Sequence, residues 1–93
     1  MNIGILQLQL LIPGCHSLKE KRGVVRSLKD RSRRKFNVAI AEVEDHDQWQ
    51  VATLGIVTVG VDAPFCDGVL RKYLDFVETY RDAEIGDYQL DIL

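Results

Sequence analysis

The sequence predicts an α+β fold in which four antiparallel strands form one sheet and two helices cover one of its faces. Three observations carry that reading. Stretches with two-residue alternation bracket two stretches with three- and four-residue apolar spacing. Each helical stretch opens on a residue able to cap free amides. The second and third strand-like stretches are separated only by a short polar turn, as in a hairpin.

In chain order, residues 2–12, "NIGILQLQLLI", set Leu6, Leu8, Leu10 and Ile12 on one face and Ile5, Gln7, Gln9 and Leu11 on the other. Pro13-Gly14 ends that strand. Ser17 and Glu20 then have the spacing of a capping box. The helix they open is predicted to run to Lys35, burying Leu18, Val24, Val25 and Leu28. Residues 36–44, "FNVAIAEVE", alternate Phe36, Val38 and Ile40 with Asn37, Ala39 and Ala41, and "EDHDQ" is the turn. Residues 49–61 read as a long apolar third strand. Asp62-Ala63-Pro64 starts a second helix, because proline is tolerated in a first turn. Its stripe is Leu70, Tyr73, Leu74 and Val77, and it frays near Arg81. "YQLDIL" closes the chain as a strand, with Tyr88, Leu90 and Ile92 on one face.

The order β-α-β-β-α-β with right-handed crossovers puts both helices on the same face. It is the ferredoxin-like topology, strand order 4-1-3-2, here one domain over residues 1–93. The two most apolar strands, first and third, fall in the centre; running parallel, they are expected to start both helices at the same end. The uncovered face is expected to carry Ile5, Gln7, Gln9, Leu11, Ala39, Ala41 and Val43. Large apolar patches are uncommon on monomers, so a homo-oligomer built through that face is expected.

No apolar run reaches the ~20 residues of a membrane helix, and no basic segment precedes an apolar core as in a secretory leader. Cys15 and Cys66 lack metal or redox spacing. A cytoplasmic protein without membrane partner is expected. The acids and imidazole of "EVEDHDQW" offer metal-type donors, but loop acids ordinarily stay hydrated; no metal and no cofactor are expected. Cys15-His16 has no third orienting group and neighbours in sequence point apart, so no catalytic centre is expected.

Charge is the strongest remaining signal. Residues 16–36 hold nine of the chain's twelve Lys and Arg but two of its fourteen Asp and Glu, within a net charge of −2. At helical spacing Lys19, Arg22, Arg26, Lys29 and Arg33 make one stripe, flanked by Lys21 and Arg34. Such a stripe can follow a phosphate backbone by counterion release. The expected function is therefore non-catalytic binding of structured RNA or a ribosomal particle by Lys19, Lys21, Arg22, Arg26, Lys29, Arg33 and Arg34. The alternatives are an acidic protein partner, or a solvated face balanced by the protein's own acids in a structural or regulatory oligomer. The open face lacks the aromatics with which ferredoxin-like RNA modules stack bases, so RNA would be read through phosphates.

Four further roles are expected. Ser17, Lys19 and Arg22 could hold an anion at the helix start, between the two helix N-termini. Asn37 and Asp47 tie down the hairpin turn. Trp49 packs at a strand edge. Glu42, an acid inside a strand, needs a partner, and the basic helix supplies one.

"IPGCHSLKEKR" followed by "KFNVAIAEVEDHDQWQVATLGIVTV" resembles the YlxP-like family of small bacterial proteins, a domain of unknown function. The resemblance covers essentially the whole chain. Its matched positions are Ser17, Leu18, Lys19, Lys21, Arg22, Phe36, Asn37, Glu42, Asp47, Trp49 and Gln50. It implies a ferredoxin-like fold. It also implies work near RNA, since genes of that family often lie beside those for translation initiation and ribosome maturation factors. It implies no established activity.

Overall fold

A computed structural model describes residues 1–93. The elements are β1 (Asn2–Leu11), α1 (Leu18–Lys35), β2 (Ala39–Glu44), β3 (Val51–Gly60), α2 (Ala63–Glu78) and β4 (Glu84–Ile92). They build one sheet of order β2-β3-β1-β4, antiparallel at every pairing. This is the ferredoxin-like α+β fold that the alternation predicts, with both helices on one side. No helix is long and apolar enough to cross a membrane.

One expectation about the sheet is corrected. β1 and β3 run antiparallel, with Asn2 opposite Gly60 and Leu11 opposite Val51. The β1-α1-β2 crossover keeps β2 parallel to β1, and the hairpin then reverses β3. α1 therefore starts at one end of the sheet and α2 at the other.

The core lies between sheet and helices. Leu6, Leu8, Leu10, Ala52, Leu54 and Ile56 from the sheet meet Leu28, Leu70, Tyr73 and Val77 from the helices, all fully buried. Each such leucine contributes about 1.5–3 kcal/mol relative to exposure. α2 comes close over β1 at Gly4, where a Cβ would stand 2.9 Å from Leu70 Cδ1 and 3.2 Å from Cys66 Cβ. Absence of a side chain there sets the depth of α2. The helices are joined by a buried relay: the Tyr73 hydroxyl donates to Ser32 Oγ (2.9 Å), whose own proton goes to Leu28 O (2.7 Å). Burial pushes the Tyr73 phenol up from its usual value, partly offset by the Ser32 bond.

Local chemistry sets the boundaries. Ser17 Oγ accepts from Glu20 N and opens α1; Asp62 does the same for α2 through Phe65 N. β2 begins at Ala39 rather than Phe36, because Phe36 caps α1 and packs edge-on against Tyr73 and Phe76, at 5.4 and 5.5 Å between centroids. β4 begins at Glu84, four residues before Tyr88. A bulge opposite Gln9 and Leu10 breaks its alternation, leaving Ile85 packed on the core and Asp87 on the other face.

Candidate nucleic-acid interface

α1 turns Lys21, Val25, Leu28 and Ser32 into the protein. At 3.6 residues per turn, Arg22, Arg26, Lys29 and Arg33 fall together on one flank of that inward line. Arg33 Nη2 donates to Ile40 O at 3.2 Å, so this flank lies over the β2 edge of the sheet. Arg33 also stands 3.9 Å from Asp30, in an exposed pair worth little. No carboxylate lies within ion-pair distance of Lys19, Arg22, Arg26, Lys29 or Arg34. On the opposite flank Arg31 stands over Tyr80 (5.4 Å) and Lys35 over Phe76 (5.2 Å), so those two cations are engaged. α2 differs: Arg71 Nε donates to Asp67 at 3.3 Å, which raises its pKa further.

Lys21 does not belong to the stripe, which corrects its assignment as a nucleic-acid-binding residue. Its side chain is 1% exposed and stands 3.0 Å from Glu42 Oε2, itself 16% exposed. Nζ donates to Asp45 O (2.6 Å) and Gln48 O (2.7 Å). Glu42 Oε2 makes no aligned hydrogen bond, because the ammonium protons aim at the loop carbonyls; the pair is chiefly a charge contact. The partner expected for Glu42 is thus found, and it comes from α1. A register shift in β2 separates Glu42, on the helix side, from Glu44, opposite Thr53 on the open face.

The hairpin is tied by other residues than Asn37 and Asp47, neither of whose side chains hydrogen-bonds. Asp45 does that work. It sits at φ 61°, where aspartate is better tolerated than most residues, and its Oδ2 accepts from Thr53 Oγ1 at 2.6 Å. Asn37 contributes only its carbonyl, to Thr58 Oγ1 at 3.0 Å. Gln50 reaches across to Pro13 O (3.2 Å) and Cys15 O (3.1 Å). Trp49 is less covered than packing at a strand edge predicts. It lies in a bend between Gln48 and Gln50 with 53% of its surface exposed.

The anion site at Ser17, Lys19 and Arg22 is corrected as well. α2 starts at the far end of the sheet, so no second helix N-terminus adds to it. One of the first amides is capped, Glu20 N by Ser17 Oγ, and Glu20 Oε2 takes His16 N at 2.8 Å just before the helix. An acid thus stands at the helix start, where its charge opposes an anion. The adjoining cleft, about 260 Å³, is lined by Glu20, Asp82 and Glu84 against Arg81 alone among the cations. Cys15 is buried there and donates to Ser17 O at 3.3 Å.

The open face is graded along the strands. Leu93 exchanges backbone bonds with Ile3, which pairs with Val59. The next row is Asp91, Ile5, Val57 and Ala39, then Gln89, Gln7, Gly55 and Ala41. Val43 folds over Gly55, filling the space a side chain would need. Asp87, Gln9, Thr53 and Glu44 follow towards the hairpin. The face is thus apolar near the α2 start, apart from Asp91, and acidic at the other end. Val57 and Val59, whose exposure the alternation of the third strand could have revealed, complete its apolar half.

Over residues 3–90 the chain matches a family described as "Protein of unknown function (DUF503)". It is also 33% identical over 82 residues to "Uncharacterized protein YlxP" of Bacillus subtilis (strain 168), covering 88% of this chain and 89% of that relative.

Proposed function

The chain belongs to the DUF503 family, and for this member we propose non-catalytic, cytoplasmic binding of structured RNA, free or in a ribosomal particle, through the outer flank of α1. The observation that carries it is that Lys19, Arg22, Arg26, Lys29 and Arg34 project from one rigid helix with no carboxylate partner. A row of unpaired cations gains by neutralising phosphates, since each contact releases condensed counterions. Filter binding of a duplex RNA across a salt series tests it. Four or five contacts on a duplex predict a slope of log affinity against log salt of about −3.5 to −4.5. Arg22→Glu with Arg26→Glu reduces its magnitude by about two units or abolishes retention. A slope near zero removes the reading.

A second reading concerns assembly. The rows Leu93, Ile3, Val59 and Asp91, Ile5, Val57, Ala39, apolar apart from Asp91, favour self-association through that half of the open sheet face. Val57 is already partly exposed, so Val57→Asp leaves the core intact. Light scattering should show an oligomer in the parent and a monomer in the variant. A monomeric parent at high concentration counts against self-association and leaves the RNA reading standing.

A further inference from the structure

We infer that Trp49 is a stacking platform for an unpaired nucleobase of the RNA proposed to lie along α1. The inference rests on that reading and narrows its substrate to RNA with a single-stranded nucleotide next to a duplex.

Three observations converge on it. The indole is half exposed in a bend, although a side chain of this size gains by burial. The backbone that presents it is fixed on both sides. Gln48 O is held by Lys21 Nζ at 2.7 Å, and Gln50 O accepts from Ile12 N at 2.8 Å while its side chain grips Pro13 and Cys15. An exposed tryptophan on a rigid bend pre-organises a flat contact. Finally, the clamp that fixes the bend is Lys21 itself, in the first turns of α1, with Lys19 and Arg22 its near neighbours. The buried Lys21 therefore connects the indole to the start of the cationic flank.

Surrounding charge narrows the ligand further. Glu44, Asp45 and Asp47 share the hairpin with Trp49. They discourage a phosphate chain from crossing it, while Lys19 and Arg22 attract one. A duplex on α1 that ends, or opens, near the helix start would place a base over the indole and keep its phosphates on the cations. Stacking on an aromatic face is tolerant of base identity, so no sequence preference follows. No aromatic lies on the open sheet face, and Trp49 is the exposed aromatic of the hairpin that Lys21 ties to the start of α1.

Trp49 is the sole tryptophan, so its emission reports the contact directly. The probes are an RNA hairpin with a short single-stranded tail and the same hairpin blunt-ended, titrated into the full chain at low salt. The expected result is quenching and tighter binding with the tailed hairpin. Trp49→Ala, followed by filter binding, should lose roughly 5- to 150-fold in affinity for the tailed probe, leave the blunt probe unchanged and keep the salt slope. Trp49→Phe should retain part of the preference. Equal binding of both probes by parent and Trp49→Ala, without quenching, overturns the platform while salt-dependent retention preserves the helix reading. No retention of either probe overturns both. An emission change that follows protein concentration without RNA assigns Trp49 to a contact between copies, and also overturns it.

Discussion

Lys21→Met is the most discriminating test of how the hairpin is held. Methionine keeps the length and apolar stem of the lysine but removes the ammonium. Glu42 would then keep a charge that is largely buried, and Asp45 O and Gln48 O would lose donors now at 2.6 and 2.7 Å. Breaking one partner of a buried ion pair costs about 3–5 kcal/mol. A chain of 93 residues holds a total of roughly 5–14 kcal/mol, so the variant should be only marginally folded. Adding Glu42→Leu removes the stranded charge and should recover about 1–3 kcal/mol, the penalty of a buried group left without its partner. What remains is the loss at the two carbonyls, softened by water because the hairpin is exposed. Urea unfolding of the parent, both single variants and the double variant gives the coupling directly. A loss under about 1 kcal/mol for Lys21→Met, or a double variant no more stable than that single one, would refute the clamp.

Two smaller effects follow from the helices. Because burial raises the Tyr73 phenol, the folded form holds that proton more tightly than the unfolded chain. Its contribution is therefore fully present below pH 10 and is lost as pH rises towards the folded value. Tyr73→Phe should cost about 0.5–1.5 kcal/mol at neutral pH and reduce the decline in unfolding free energy above pH 10; an unchanged alkaline limb would contradict the raised phenol. Ser17→Ala removes the acceptor of Glu20 N at 3.1 Å and should cost about 0.5–2 kcal/mol by urea unfolding. Because the basic flank itself is untouched, RNA retention at low temperature should persist.

The sequence disclosed the topology because its strands obey a two-residue rule on the buried face and its helices open on Ser17 and Asp62. What it concealed were departures from regular period. The β4 bulge made Glu84–Asp87 unreadable as strand, and the β2 register shift parted Glu42 from Glu44. Lys21 was the costlier miss. It stands three residues after Leu18 and four before Val25, on the apolar stripe itself, and the unpartnered acid at Glu42 was the matching signal. Charge alone sent Lys21 outward; spacing placed it inward. Trp49 was misplaced for a related reason: a tryptophan beside a strand reads as packed, whereas Gln48 and Gln50 fix the chain in a bend that turns it out. Asp45 was missed because its role depends on a positive φ, which composition does not reveal.

Separation of charge decides whether an acidic protein can present a basic surface. The free cations of α1 lie above the sheet, whereas Asp87, Asp91 and Glu44 lie on its open underside. A helix is itself about 10 Å across, and the Debye length at physiological ionic strength is about 8 Å. The acids below are therefore largely screened from a ligand that approaches α1, and the net charge of −2 describes neither surface. At about 0.01 M salt the Debye length is near 30 Å, long enough for the underside to oppose a polyanion on the helix. Arg22, Arg26 and Lys29 would then compete with those underside acids, whose pull at cellular ionic strength is largely screened. The same geometry gives the open face an independent chemistry, so a copy of the chain on the sheet and an RNA on α1 do not exclude one another.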